Sequence, residues 1–339
     1  MSVVQGMKEI DKPQGGNSAV DKPHDKFFRE VFSQEDKARD FLLATLPQGI
    51  VELLDLQTIV VENTSLLDEK LDEKKSDLLI RTNMGGSPAL IYILVEHKFY
   101  ADRWSVFQLL NYMVRIWERE RRKPNVKKSL PTIIPVLCYH GTRKWRMPLD
   151  FSSYFVSEEE LKSHIPAFRP VMIDLQAMED QDFRGSKMIQ AVLKTLKYSR
   201  ENLRMHLVEI LRSVLTVPMD KEHRVFLKTL LEYIIRGCRD VDEQDVDQAV
   251  FAIGSREVRE VYMTVAEQLI ARGKLEGQHE GELKKMQEVL LKQLAQKFRV
   301  IAEVDKKKVM EIKDPEKLDR ALGLILKSES IEEVLRPLD

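Results

Sequence analysis

Residues 89–98, ALIYILVEHK, run apolar for seven residues and then close on Glu96, His97 and Lys98. Ile91, Ile93 and Val95 alternate with Leu90, Tyr92 and Leu94, so both faces of the strand are apolar, as a central strand covered on each side requires. Opposite charges at the tip of such a strand are costly to bury unless they are paired or bind something. Two readings stand at this point. Either the strand surfaces here with an ion pair, or its charges are there for chemistry.

Upstream, SDLLIRT (76–82) reads as a strand and Asn83-Met84-Gly85-Gly86-Ser87-Pro88 as a tight turn, so 76–98 forms a hairpin. LQTIVVEN (56–63) is an earlier strand, and TSLLDEKLDEKK after it is a loop or irregular edge. Before these, HDKFFREVFSQEDKARDFLLATLP carries two helical faces, one of Phe27, Phe28, Val31 and Phe32, the other of Phe41, Leu42 and Leu46. Downstream, a helix is expected over Asp102–Arg122, then a fourth strand, TIIPVLCYHG (132–141). Helices, three strands, a helix and a further strand make an α/β unit.

From about residue 155 helical periodicity takes over: KMIQAVLKTLKYS, ENLRMHLVEILRSVL, HRVFLKTLLEYIIRG and VREVYMTVAEQLIARG. The organisation expected is a flexible tail (1–20), an α/β core (21–154), a helical domain (155–272), and a Gly-spaced linker helix with a small helical module (273–339). Gly273, Gly277 and Gly281 lie four apart on one helical face. They read either as a polar hinge or as a close helix–helix contact between subunits. Asp314-Pro315 marks one helix start, and Ser330 or Ser328 caps another.

Composition narrows the classes. Of 339 residues 32% are charged, yet the net charge is −1, so any nucleic-acid contact must come from local patches. The two cysteines, Cys138 and Cys238, lie far apart, which argues for a reducing compartment and against a thiolate zinc site. The first residues lack a signal-peptide core and no apolar run approaches about 18 residues. A cytoplasmic protein with no membrane span is expected.

Within the hairpin, Asp77 at the start of one strand can lie beside Glu96 at the end of the next, with Lys98 just beyond. His97 projects to the opposite face, but its carbonyl stays near the carboxylates. Two carboxylates and a carbonyl form a hard-oxygen site suited to Mg²⁺, with Mn²⁺ as a substitute, and such an ion can polarise a phosphodiester and acidify water. Lys98 would hold that water and stabilise charge on phosphorus. The Glu-x-Lys triplet alone says little in so charged a chain; only here does it end a doubly apolar strand. Metal site and surfacing ion pair both remain open on these residues.

Asp77, then Glu96-x-Lys98 across a hairpin flanked by helices, resembles the PD-(D/E)XK nuclease superfamily. HDKFFREVF, LPQGIVELLDL, SDLLIRT, ILVEHK, FQLLNYM and IIPVLCYHG, in that order, resemble the Rpn recombination-promoting nucleases, also described as transposases. The resemblance spans roughly residues 22–145 and continues more loosely through MTVAEQLIARGKLEGQ. It implies a restriction-endonuclease-like mixed sheet flanked by helices, followed by an all-helical region, and a Mg²⁺-dependent DNA endonuclease acting in recombination. By position, Asp77 and Glu96 become metal ligands and Lys98 the catalytic lysine. Gln108 and Tyr112 match a Gln-x-x-x-Tyr helix that lines the site in several nuclease branches. Ser76, not proline, precedes Asp77, a departure at a position that varies across the superfamily.

Other features carry two readings each. RERRKPNVKK (119–128) is either a phosphate-contacting loop or a solvated helix end. Asp25 is an N-cap, or His24-Asp25 reaches the site. Cys138 and His140 share a strand face and read as core. Beside the active endonuclease stand a catalytically weak DNA-binding or regulatory relative, and an assembly role for the C-terminal helices as a homodimer or higher oligomer.

Overall fold

The computed structural model describes residues 23–62, 77–96, 101–123, 129–156, 159–215 and 219–338, with backbone alone at 95 and 96. The expected tail (1–20), the 64–75 loop, His97 and Lys98 lie outside the described residues.

The opening stretch forms the third of five strands. The sheet is mixed, in the order β1 (Leu54–Glu62), β2 (Leu78–Met84), β3 (Ser87–Glu96), β4 (Thr132–Tyr139), β5 (Val171–Asp174). β1, β2 and β3 are antiparallel neighbours; β3, β4 and β5 run parallel. Met84 pairs with Ser87, which leaves Gly85 and Gly86 as a two-residue turn, and their φ values of 55° and 78° explain why two glycines sit there. β3 is therefore flanked on both sides, as its doubly apolar pattern requires.

The helices are α1 (Pro23–Phe32), α2 (Glu35–Thr45), α3 (Gln48–Val51), α4 (Ser105–Arg121), α5 (Lys187–Tyr198), α6 (Leu203–Val214), α7 (Lys221–Gly237), α8 (Glu243–Ile253), α9 (Arg256–Phe298), α10 (Glu303–Glu311), α11 (Pro315–Leu324) and α12 (Ile331–Leu335). α4 is the crossover between parallel β3 and β4. Its Leu109, Tyr112, Met113 and Ile116 pack on Leu79, Leu90, Tyr92 and Leu94, with Ile133 and Leu137 of β4. The alternate positions Ile80, Ile91, Ile93 and Val136 are equally buried. Phe28, Phe32 and Phe41 of α1 and α2 form one aromatic cluster, α1 packs on α7, and α2 on β1 and α5.

Three departures from the sequence reading have physical causes. VMID (171–174) forms β5 inside a stretch read as helical: four residues are too few to show a period, and the strand exists by pairing with Val136–Tyr139. Asp25 is not an N-cap; α1 begins at Pro23 and Asp25 is buried in its first turn. The segment EQDVDQAV begins α8, where Asp242 and Asp245 form a reciprocal capping box that the helical reading did not single out.

The chain divides into two compact units within α9, between Val265 and Ala266. In the C-terminal unit Leu290, Leu294, Val309, Leu318, Ile325 and Val334 form a core. Lys297 Nζ donates to the carbonyls of Ile325 (2.6 Å) and Ser328 (2.5 Å). Asp314 caps α11 and Ser330 caps α12, as their residue types foretold. Gly273, Gly277 and Gly281 sit inside the unbroken α9, and a Cβ at any of them would meet open space within the chain.

Among the described residues no helix is long and apolar enough to cross a membrane.

Candidate active site

The hairpin register positions the acidic residues. The β2–β3 ladder ends where Leu78 pairs with Ile93, and Asp77 immediately precedes it in the chain. Glu96 is the last residue of β3, its backbone in register with Tyr139 of β4.

Asp77 is buried, and Tyr92 Oη donates a hydrogen bond to its Oδ2 at 2.6 Å. Tyr112, from α4, lies against Tyr92 with ring centroids 4.9 Å apart. A phenol has one proton to give. The Tyr92 proton goes to Asp77. Burial, then the charge of Asp77, pushes the Tyr92 phenol well above its ordinary range, and burial and Asp77 raise Tyr112 likewise. Both hydroxyls stay protonated donors at neutral pH.

Gln108 lies one turn before Tyr112 and is half-buried. The structure thus joins Asp77 and Tyr112 through Tyr92, a residue that sequence reasoning treated as packing. A signal existed: Tyr92 has the same strand parity as Glu96.

Beyond this trio lies an ion network. Arg81 of β2 donates to Glu62 (2.5 Å) and Glu120 (2.8 Å), and Arg119 donates to Glu62 (2.5 Å) and Glu120 (3.1 Å). Lys123 pairs with Glu120 at 2.7 Å. Burial works to raise the Glu120 carboxyl, but hydrogen bonds from Lys123 and Arg81 and their charges outweigh it and hold it below 4.5. Arg119 and Lys123, in the stretch read either as a phosphate-contacting loop or as a solvated helix end, are held by carboxylates. Arg121 and Arg122 are exposed, and Lys127 and Lys128 lie outside the described residues.

His24 Nδ1 is 2.7 Å from Tyr233 Oη of α7 and its ring is 5.5 Å from that of His140. This pairing ties α1 to α7. Cys138 is buried and its thiol is pushed up to about 12, first by burial and then by Asp174, as a core cysteine would be. Among the described residues no three His, Cys, Asp or Glu side chains gather around a common point.

With this geometry in hand, comparison with known proteins is informative. Residues 22–225 match the family described as "Putative transposase, YhgA-like". The chain belongs to that family. It is 28% identical over 254 residues to recombination-promoting nuclease RpnA of Escherichia coli strain K12, covering 74% of this chain and 84% of the relative. Identity to recombination-promoting nuclease RpnD of Escherichia coli O157:H7 is 27% over 260 residues, 75% of this chain and 96% of the relative. A third relative, the inactive recombination-promoting nuclease-like protein RpnE of strain K12, is 26% identical over 282 residues, 83% of this chain and 92% of its own. No solved structure matches.

Proposed function

We propose that this chain is a divalent-metal-dependent DNA endonuclease with a PD-(D/E)XK-type core. The observation that supports the reading is a buried carboxylate, Asp77, held by a tyrosine hydroxyl and lying one residue before a strand whose hairpin partner ends at Glu96. Relatives named recombination-promoting nucleases support it.

The donor set suits a hard cation. Asp77 offers carboxylate oxygen, Glu96 is the nearest further carboxylate along the hairpin, and the His97 carbonyl would add a third oxygen. Mg²⁺, or Mn²⁺ in its place, would supply Lewis acidity toward a phosphodiester and acidify water. The chain's own residues do the rest. Tyr92 holds one oxygen of Asp77, so the carboxylate keeps a fixed orientation. Tyr112 packs its ring on Tyr92, and its burial makes it a positioning residue rather than a DNA contact. Lys98 would hold the attacking water and balance the charge that grows on phosphorus. Gln108, nearer the start of α4, is the side chain available to orient a phosphate.

Incubation of supercoiled plasmid with Mg²⁺ tests the reading. Nicking by wild type that vanishes in Asp77→Asn, Glu96→Gln and Lys98→Ala, with circular dichroism unchanged, is expected; nicking that persists in all three overturns the assignment. The inactive relative RpnE favours a second reading, a DNA-binding or regulatory protein without turnover. Salt-sensitive DNA binding with no cleavage under Mg²⁺, Mn²⁺ or Ca²⁺ would select it.

A further inference from the structure

At the start of α4, one turn before Gln108, the surface changes character. Trp104 is 56% exposed, Phe107 43% and Phe155 44%, although all three are large apolar rings. They are joined by ring contacts: Trp104 to Phe107 at 6.1 Å and to Tyr154 at 5.6 Å, while Phe151 holds Phe107 at 6.3 Å and Phe155 at 5.5 Å. Behind them Phe151 stacks on Phe168, which packs against the α4-facing core. The rings therefore stand on a fixed floor. An exposed contiguous aromatic patch on a charged chain calls for a partner.

A cation fits the patch to one kind of partner. The Arg103 guanidinium lies 6.0 Å from the Tyr154 ring, and the Tyr154 hydroxyl donates to the Arg103 carbonyl. Of the carboxylates near the rings in sequence, Asp102 accepts the Trp104 backbone N–H at 2.8 Å, Asp150 pairs with Arg169 at 3.7 Å and Glu159 pairs with Lys162. Flat rings with the Arg103 guanidinium beside them provide stacking for bases and a cation for a phosphate, the combination by which unpaired nucleic acid is held. A paired duplex keeps its base faces inside the stack and could not use the rings.

We infer that the Trp104–Phe107–Phe155 patch is a stacking platform for unpaired bases of a DNA substrate, placed along α4 ahead of Gln108 and Tyr112. The inference rests on the nuclease reading for its choice of nucleic acid, and it specifies the substrate class: DNA with single-stranded or extruded bases.

The test is fluorescence anisotropy of the full chain with a labelled oligothymidine, an intact duplex and a duplex carrying a central gap, all in EDTA. Wild type should bind the single strand more tightly than the intact duplex. Trp104→Ala should weaken single-strand binding roughly 5- to 100-fold while leaving the duplex nearly unchanged, and Trp104→Phe should retain it. Tight binding of the gapped duplex assigns the platform to extruded bases; binding of oligothymidine alone assigns it to continuous single strands. Equal single-strand affinity for wild type, Trp104→Ala and Phe107→Ala overturns the inference, as does equal weakening on all three DNAs. So does a change confined to sedimentation mass, which would make the patch an interface between copies. Because EDTA removes chemistry, loss of this platform and loss of the Asp77 site are separate results.

Discussion

Tyr92 Oη donates to Asp77 Oδ2 at 2.6 Å across the β2–β3 hairpin, and both groups are buried. A hydrogen bond to a buried carboxylate contributes more than a neutral one, about 1.5–3 kcal/mol. Tyr92→Phe keeps the ring against Tyr112 and removes only the donor. We expect a stability loss of about 2 kcal/mol by urea unfolding. Tyr112→Phe, one step further from the charge, should cost less. Equal losses would contradict the assignment of the larger effect to the Tyr92–Asp77 bond.

Alkaline stability follows from groups whose neutral forms the fold favours. Burial pushes the Cys138 thiol from 9.0 up to about 12, and Tyr92, Tyr112 and Tyr233 are raised above 10.0. A raised acid leaves stability fully present below the unfolded pKa and withdraws it as pH climbs toward the folded one. The melting temperature should therefore hold steady from pH 7 to about pH 9 and fall beyond it. Cys138→Ala should delay the onset by removing the earliest group; an unchanged onset would contradict the assignment.

The network of Glu62, Arg81, Arg119 and Glu120 is shielded from solvent, and Glu120 is its centre. Its removal leaves two guanidiniums facing one carboxylate. Glu120→Ala is expected to cost about 3 kcal/mol, whereas Lys123→Ala, at the exposed rim, should change stability by about 0.5 kcal/mol or less. Chemical denaturation of both variants checks the contrast.

Gly273, Gly277 and Gly281 allow the two readings of α9 to be separated. Each glycine costs a helix interior roughly 0.5–1 kcal/mol relative to alanine, and space around each is open within the chain. If the stretch is a polar helix, Gly277→Ala should raise helicity and leave the sedimentation mass unchanged. If copies pack closely there, the same change should lower the mass.

What the sequence disclosed, and what it withheld, divides along the distance over which the information is stored. The β2–β3 hairpin was legible because Gly-Gly and the apolar run of 89–95 are local. The Phe27, Phe28, Val31 and Phe32 face was legible for the same reason. β5 escaped because four residues carry no period of their own. Tyr92 escaped because, in a strand apolar on both faces, a tyrosine looks like packing until its hydroxyl finds Asp77 fifteen positions earlier. The ion network escaped because Arg81 reaches Glu120 across 39 positions. Neither reading of RERRKPNVKK, phosphate-contacting loop or solvated helix end, contained the carboxylates that pair with Arg119 and Lys123 in the fold.

The central claim is that Asp77 and Glu96 share a divalent cation. Titration of the protein with Mn²⁺, followed by loss of the free-ion electron paramagnetic resonance signal, measures this without any DNA. Wild type should bind Mn²⁺ saturably and Mg²⁺ should displace it, while Asp77→Asn and Glu96→Gln should each abolish the saturable phase. Undiminished saturable binding in both variants would contradict the account.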